Sequence, residues 1–261
     1  MAEVYRTGSR GEGVRQLQRM LGMTGTQADG VFGTKTEAAV KVFQRSAGLS
    51  PDGIAGPATL SRLRAVTPDI TDGHISVHVT RCAARPLRYI AIHYTAGGNS
   101  RRGAAMSARN VFLSRSASAD FVVDDEQTVQ VSPDVRNYYC WAVGDKKYAS
   151  GGGGSLYGTA TNRNTISVEV CSTLKSGTAS VPNHEGWAFT DKALDRALSL
   201  VRYLMLVYGI PKSCVIRHYD VSGKPCPGIV GWNDAELYTL TGARSPQKNN
   251  SRKWLDFKGR I

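Results

Sequence analysis

The first 65 residues show the spacing of apolar positions that is typical of amphipathic helices. Val14, Leu17 and Leu21 stand three and four residues apart, which places them on one face of a helix. Two further helical patterns follow, with apolar residues at Ala39, Phe43 and Ala47 and at Leu60 and Leu63. The spacing predicts a compact unit of three helices.

A repeated glycine-rich turn precedes each of the two later helices. The segments DGVFGTKT, from Asp29, and DGIAGPAT, from Asp52, share the pattern D-G-[V/I]-x-G-x-x-T and start 23 residues apart. The glycines interrupt the periodic pattern, and Pro57 suits the first position of the helix that follows it. The resulting unit is too small to be an obvious enzyme.

Beyond a predicted linker at residues 67–74, short β-branched segments alternate with helical patterns. Strands are predicted at residues 75–80, 89–94, 119–124, 128–132 and 166–170, and helices at residues 103–115 and 190–209. Thr190 can cap the start of the last helix, and Gly209 ends it. The alternation predicts an α/β domain with a mixed central sheet flanked by helices. The SGGGGS segment at residues 150–155 is interpreted as a mobile native loop of this domain.

The composition of the 261-residue chain is that of an ordinary globular protein, with 41% hydrophobic and 21% charged residues. No apolar run approaches the roughly 18 residues of a membrane span, so no integral membrane segment is expected. The N-terminal segment MAEVYRTGSRGEG lacks the apolar stretch of a secretory signal. We therefore expect synthesis in the cytoplasm without a signal peptide.

The formal net charge of +12 favours a polyanionic partner, which can be nucleic acid, anionic lipid or an acidic cell envelope. The alternative is that the charge serves solubility alone. No nucleic-acid-binding motif accompanies it, and nucleic acid is therefore not expected as a partner. A monomer is expected.

Three residues carry candidate metal-binding chemistry. His93 ends a predicted strand, and His218 and Cys226 lie in the segment RHYDVSGKPCPGI. Two histidines and one cysteine leave a fourth tetrahedral position for water, and these donors suit Zn²⁺ better than Mg²⁺ or Ca²⁺. From spacing alone, a metal site is favoured for Cys226, and the alternatives are a nucleophile beside His218 and Lys224 or a place in an ordinary turn. Five irregularly spaced cysteines do not fit a disulfide-stapled secreted domain.

The N-terminal segment resembles a known binding module. The stretches GSRGEGVRQLQRMLG and ADGVFGTKTEAAVKVFQRSAGLSPDGIAGPATLSRL are similar to the peptidoglycan-binding module of many bacterial and phage cell-wall hydrolases. The resemblance covers about residues 5–65, and its paired D-G-x-x-G turns make it fairly specific. The alternative is a generic helical bundle that serves as a dimerisation or spacer unit.

The second part of the chain resembles the zinc N-acetylmuramoyl-L-alanine amidases, the family of the phage lysozyme-amidases and the peptidoglycan recognition proteins. The segments that carry the resemblance are YIAIHYTAGG, SADFVVDDEQTVQVSPD, CWAVGD, NTISVEVC and RHYDVSGKPCPG. They occur in the family's order over about residues 75–240, and IHYTAG and H-x5-K-x-C-P are the most specific of them.

The resemblance implies roles for individual residues. His93, His218 and Cys226 match the zinc ligands of the family. Lys224 matches its catalytic lysine, which would stabilise the oxyanion of the tetrahedral intermediate. Glu169 matches the acidic residue near the metal, which would take a proton from the attacking water and pass it to the leaving amine.

The chain also departs from the family pattern. Many members have an aromatic residue and a histidine where this chain has Ala119 and Asp120, and a histidine where it has Ala142. A catalytic tyrosine therefore cannot be assigned to Ala119. Asp120 is expected either to orient a metal ligand through a hydrogen bond or to be a surface residue.

Four residues of the matched segments are expected to bind substrate: Tyr94, Thr95, Trp141 and Asn164. For Trp141 the alternative is a place in the apolar core, because aromatic residues near a strand are often buried.

The resemblance implies a two-domain peptidoglycan hydrolase. Residues 1–66 would form the binding module, 67–74 the linker, 75–243 the zinc amidase domain and 244–261 a basic tail. The tail is expected either to hold the enzyme on an anionic envelope or to be a disordered end. The implied reaction is hydrolysis of the amide bond between N-acetylmuramic acid and L-alanine, with Zn²⁺ as cofactor and bacterial peptidoglycan as partner. A phage-type endolysin that acts on the wall after release is expected; a bacterial autolysin, an injected toxin and a non-catalytic recognition protein are the alternatives.

Overall fold

The computed structural model describes residues 3–97, 99–144, 147–148, 153–175 and 180–261. The α-helices are α1 (Glu12–Met20), α2 (Thr34–Ser46), α3 (Pro57–Val66), α4 (Ala104–Val111), α5 (Asp191–Tyr208), α6 (His218–Ser222) and α7 (Arg252–Arg260). The strands are β1 (Thr71–Asp72), β2 (Val79–Arg81), β3 (Tyr89–Tyr94), β4 (Phe121–Val123), β5 (Thr128–Gln130), β6 (Tyr138–Cys140), β7 (Thr165–Val170), β8 (Thr173–Leu174), β9 (Trp187–Ala188), β10 (Val215–Arg217), β11 (Glu236–Tyr238) and β12 (Arg244–Lys248). Short 3₁₀ turns lie at Gly25–Gln27 and Lys212–Cys214.

The N-terminal unit consists of the three predicted helices, and a buried glutamine on a helix binds each of its two repeated turns. Gln18 and Gln44 are 1% and 2% exposed. Each amide nitrogen donates to an aspartate carboxylate, a backbone carbonyl and a threonine hydroxyl, and each amide oxygen accepts a glycine N–H. The first network uses Asp29, Gly30, Val31 and Thr36, and the second uses Asp52, Gly53, Ile54 and Thr59. The sequence repeat is therefore also a repeat of buried polar contacts.

The second unit is built on a six-stranded mixed sheet, as the alternating pattern predicts. The strand order is β1-β5-β4-β7-β3-β10. Neighbouring strands from β4 to β10 run parallel, and β5 runs antiparallel to β4. β3 and β7 are central and carry mostly buried side chains, which explains their nearly continuous apolar sequences.

Helix α5 lies between the sheet and the N-terminal unit. It contacts β4 and β7 on one side and α2 and α3 on the other. Thr190 caps its start by accepting a hydrogen bond from the Ala193 N–H (3.1 Å), and Gly209 ends it in the left-handed conformation. Both ends are as predicted. Because α5 packs on both sides, one apolar cluster runs through the two units.

The predicted linker takes part in this arrangement. Thr71 and Asp72 form the edge strand β1 and pair with β5. The predicted strand at residues 75–80 is shorter and later than expected, because strand β2 covers only Val79–Arg81 and pairs with β6. His78 has a positive φ of 54°, which interrupts the extended backbone before β2.

The predicted mobile loop at residues 150–155 lies partly outside the described residues, which exclude 150–152. Gly154 is described, and its N–H donates to the Tyr219 carbonyl oxygen (2.9 Å). A Cβ atom on Gly153 would lie 2.7 Å from the same oxygen. This end of the segment therefore packs closely on helix α6.

Residues 244–261 are not a disordered end. Strand β12 pairs with β11, and α7 buries Trp254 and Phe257, which are 6% and 3% exposed. Their rings lie 5.9 and 5.2 Å from the ring of Trp232. The Lys258 Nζ atom donates to the carbonyl oxygen of Val215 (2.7 Å). In the sequence, the many basic residues make this short apolar face hard to recognise. In the structure, the segment packs on the second unit and belongs to it.

No helix in the described part of the chain has the length and apolar character needed to cross a membrane.

The glutamine networks lead to a prediction about stability. Gln18→Ala would leave the Gly30 N–H and other buried polar groups without partners, and should lower the free energy of unfolding by about 2–4 kcal/mol. Gln16→Ala is the matched control, because Gln16 lies on the same helix and is exposed; its effect should stay within about 0.5 kcal/mol. Chemical denaturation followed by circular dichroism measures both. Equal effects of the two substitutions would contradict the structural role of the network.

Candidate functional site

Three neighbouring parallel strands bring the candidate residues together. His93 lies near the carboxyl end of β3, and Glu169 is its direct partner in register on β7. His218 follows β10, which pairs with β3 on the other side. Functional residues gather at the carboxyl ends of strands in open α/β sheets. The site is therefore placed by the order β7-β3-β10.

The segment after β10 turns back and brings Cys226 to the two histidines. Asp220 caps helix α6 and forms an ion pair with Arg217 (2.6 Å). Gly223 ends the helix with a positive φ of 78°, a conformation that glycine adopts without strain. The Tyr219 N–H then donates to the Cys226 carbonyl oxygen (2.9 Å), which closes the turn.

His93, His218 and Cys226 form a compact, buried donor cluster. One ligand atom from each residue lies within 4.8 Å of the others, and the Cys226 Sγ atom is 3.8 Å from His93 Nδ1. The His218 Nε2 atom is 3.1 Å from the Val143 carbonyl oxygen. Because a carbonyl can only accept, Nε2 carries the proton and Nδ1 keeps a free lone pair. The His93 Nε2 atom is buried without a hydrogen-bond partner in the described residues.

The buried setting keeps these three side chains neutral. Burial, together with the unfavourable electrostatic interactions that a protonated His93 would have with His218 and Lys224, holds the pKa of His93 well below its usual range. Burial and the charge of Lys224 lower the pKa of His218 to about 3, against the effect of the Val143 carbonyl. Burial and the charge of Glu169 raise the pKa of the Cys226 thiol to about 12. Two neutral imidazoles, each with a free ring nitrogen, and one sulfur atom are donors that suit a metal ion of the Zn²⁺ type.

Glu169 and Lys224 stand beside this cluster. The Glu169 Oε2 atom is buried without a hydrogen-bond partner in the described residues. Burial raises the pKa of the Glu169 carboxyl to about 8, although the positive charges of Lys224 and Arg115 act in the opposite direction. Lys224 is exposed. The site thus combines three metal-type donors, a carboxyl group with a free oxygen and an accessible cation.

A cavity of about 660 Å³ opens above the cluster. It is lined by the three residues of the donor cluster, by Glu169 and Lys224, and by residues of α4. Tyr94, Thr95 and Trp141 also line it. Trp141 is 41% exposed, and its indole N–H donates to the Thr80 hydroxyl (2.9 Å). Trp141 is therefore not a core residue. Within the described residues, Glu169 is the only carboxylate in the cavity lining.

The family follows from comparison with known proteins. A family model described as N-acetylmuramoyl-L-alanine amidase matches residues 83–229, which is more than half of the chain. The chain belongs to the N-acetylmuramoyl-L-alanine amidase family. A second model, described as a putative peptidoglycan binding domain, matches residues 10–63. The three-helix unit is therefore the peptidoglycan-binding module, and the cluster at His93 lies in the amidase domain.

Individual relatives match parts of the chain. The N-acetylmuramoyl-L-alanine amidase CwlH of Bacillus subtilis (strain 168) is 30% identical over 168 residues, which are 62% of this chain and 56% of that protein. The zinc D-Ala-D-Ala carboxypeptidase of Streptomyces albus G is 52% identical over 67 residues, 24% of this chain and 26% of that protein. The solved catalytic domain of XlyA is 23% identical with a TM-score of 0.47, and the match covers 74% of this chain and 99% of that one. The chain spans about a quarter to just over half of the length of the first curated relatives it matches.

The expectation for Asn164 needs correction. Asn164 does not line the cavity of the amidase domain. It precedes β7, at the opposite end of the strand from Glu169. Its side chain closes a local turn by accepting from the Thr161 N–H (2.8 Å) and donating to the Thr159 carbonyl oxygen (2.9 Å).

Asp120 has a different role from either of those expected. It is 1% exposed, so it is not a surface residue. Its carboxylate accepts from the Arg85 guanidinium (2.8 Å) and from the Ser167 N–H (2.9 Å). Among the described hydrogen bonds, none joins Asp120 to His93, His218 or Cys226. The side chain therefore holds the sheet and does not orient a candidate metal ligand.

Sequence reasoning missed two arginines of the amidase domain. Arg102 and Arg115 line the cavity, and the charge of Arg115 reaches Glu169. Both belong to an arginine-rich stretch around α4 in which no spacing distinguishes them from surface charge. Ala142 also lines the cavity, whereas Ala119 is fully buried and does not.

Proposed function

We propose that the chain is a zinc-dependent peptidoglycan hydrolase that cleaves the amide bond between N-acetylmuramic acid and L-alanine. The observation that carries the proposal is the site itself: two histidines, a cysteine and the free carboxyl oxygen of Glu169 meet at one cavity. The family to which the chain belongs supports the bond that is cut.

His93, His218 and Cys226 would hold the metal. Three protein ligands leave one position open, which is the arrangement of catalytic rather than structural zinc. When bound, zinc lowers the pKa of a coordinated water molecule and polarises a carbonyl group. The hydrogen bond from His218 to the Val143 carbonyl would keep Nδ1 aimed at the metal.

Glu169 and Lys224 would carry out the acid–base and electrostatic steps. The free oxygen of Glu169 would accept the proton of the attacking water and deliver it to the amine of L-alanine as the bond breaks. Lys224 would stabilise the negative charge that develops on the carbonyl oxygen. Because no other carboxylate lines the cavity in the described residues, both proton transfers are assigned to Glu169.

The module would hold the amidase domain at the cell wall. Such an arrangement serves a lytic enzyme, and we assign the chain to the phage-type endolysins. A bacterial autolysin or an injected toxin would use the same chemistry. A recognition protein that binds the wall without cutting it is the alternative from another class.

Metal content tests the ligand set. The purified chain should contain about one zinc ion per molecule, and Cys226→Ser should lose most of it because a hydroxyl is a much weaker zinc ligand than a thiolate. Cys214→Ser is the control, since Cys214 is also a free thiol but lies outside the cluster. Inductively coupled plasma mass spectrometry measures both. Full zinc content in Cys226→Ser would remove Cys226 from the ligand set.

Turnover tests the role of Glu169. Glu169→Gln should keep the bound zinc and lower kcat by about 10²–10⁴-fold, because an amide cannot accept the proton of water. Glu185→Gln is the matched control, because Glu185 is exposed and outside the cavity. Rates come from release of L-alanine peptides from a soluble muropeptide. Wild-type turnover of Glu169→Gln with intact zinc would exclude the residue from the mechanism.

Digestion of purified sacculi distinguishes the candidate functions. New amino termini of L-alanine, detected by mass spectrometry and abolished by a zinc chelator, are expected for the amidase. New reducing sugar ends would instead identify a glycosidase. Binding without cleavage would identify a recognition protein.

A further inference from the structure

A second cavity, of about 1,050 Å³, lies between the module and the amidase domain. We call it the interdomain groove. The module contributes the first of its two repeated turns, with Asp29, Val31 and Lys35 in the lining. The amidase domain contributes Arg81 and Tyr138, from the paired ends of β2 and β6. The groove is separate from the cavity above His93.

Contacts across the groove fix its two walls relative to each other. The Gln27 amide donates to the Asp134 carboxylate (2.8 Å), and the Thr24 hydroxyl donates to the Pro133 carbonyl oxygen (3.0 Å). Behind them, α2 packs on α5. The groove is therefore a preformed concave surface of the folded chain, as binding sites usually are.

The charges of the groove point to an uncharged ligand. Its lining contains two carboxylates, Asp29 and Asp134, and two cations, Lys35 and Arg81, so the formal charges balance. Both carboxylates already accept hydrogen bonds from glutamine side chains. Lys35 and Arg81 are exposed, and neither forms a salt bridge within the described residues. The groove thus offers free hydrogen-bond donors and a tyrosine ring, and its lining carries no net formal charge.

The catalytic cavity has the opposite character. Arg102, Arg115 and Lys224 line it against the single carboxylate of Glu169. A chain that carries carboxylates is attracted to this cavity, whereas a neutral chain rich in hydroxyl and acetamido groups gains nothing there. In peptidoglycan these two properties belong to different parts of the polymer: the stem peptide carries carboxylates, and the amide-linked glycan carries none.

The β2–β6 ribbon connects the two cavities. At one end of the ribbon, the last residue of β2, Arg81, pairs with the first residue of β6, Tyr138, and both line the groove. Trp141 follows β6 directly and lines the catalytic cavity. Three residues of extended chain span about 10 Å. A glycan chain of a few sugar rings is longer than this separation along the ribbon.

We propose that the interdomain groove binds the amino-sugar chain of peptidoglycan while its stem peptide occupies the catalytic cavity. This proposal rests on the proposed function for the choice of polymer. The binding site is then shared by the first repeated turn of the module and the β2–β6 ribbon of the amidase domain. The glycan held there would keep the scissile amide in register with Glu169 during attack.

Filling the groove tests the proposal. Ala83 is exposed and lines the groove, so Ala83→Trp should block it without changing the core. We expect at least a tenfold loss of activity on sacculi and an unchanged rate on a muropeptide with a single disaccharide. Ser61→Trp, on the exposed face of α3, is the matched control and should change neither rate. Wild-type activity of Ala83→Trp on sacculi would overturn the proposal.

A binding measurement decides the proposal even if the chain cleaves no amide bond. Cys82 lines the groove and is partly exposed, and Cys214 is equally a free, partly exposed thiol outside it. An uncharged N-acetylglucosamine hexamer should slow alkylation of Cys82 severalfold and leave Cys214 unchanged, as read by peptide mass mapping. Ala83→Trp should abolish this protection. Equal alkylation of Cys82 with and without the hexamer, or protection that persists in Ala83→Trp, would overturn the assignment of the groove.

Discussion

The ion pair between Arg85 and Asp120 holds the amino-terminal half of β7, the strand whose carboxyl end carries Glu169. Both side chains are almost fully buried. The guanidinium also donates to the backbone carbonyls of Val135, Tyr138, Asn162, Arg163 and Thr165, and Asp120 accepts the Ser167 N–H of β7. A buried pair of this kind is costly to break, because the remaining charge loses its partner. Through these contacts, one arginine fixes β7 beneath Glu169 and the start of β6 beside the interdomain groove.

Much of the site was predictable because its residues end recognisable strands. The apolar runs before His93 and His218 identify both strands, and the caps of α5 follow from local chemistry. The parallel order β7-β3-β10 is not local, since it joins strands that are far apart in sequence. The glutamine networks were hidden for a related reason: Gln18 lies 11 residues before Asp29, but Gln44 lies 8 before Asp52. The glutamines therefore do not share the 23-residue period.

The wrong expectations have physical causes of the same kind. Asn164 shares a motif with Glu169, but five residues of extended strand separate them by about 16 Å, so one sits at each end of the sheet. Asp120 is a polar residue in an apolar stretch, and no pattern in that stretch indicates that Arg85 is its partner. The C-terminal segment buries two large apolar side chains, Trp254 and Phe257, and the Trp232 surface that they cover is formed by tertiary packing.

The departures from the family pattern affect the site unequally. Ala119 is fully buried in a small cluster with Val122 and Phe112, so a change there acts first on packing. Ala142 lines the catalytic cavity beside Trp141, so the absence of a histidine at this position removes a titratable group from the substrate's surroundings. In the described residues, the cavity then holds one carboxyl group among three cations. Proton transfer then depends on Glu169, while Arg102, Arg115 and Lys224 favour the entry of a negatively charged substrate.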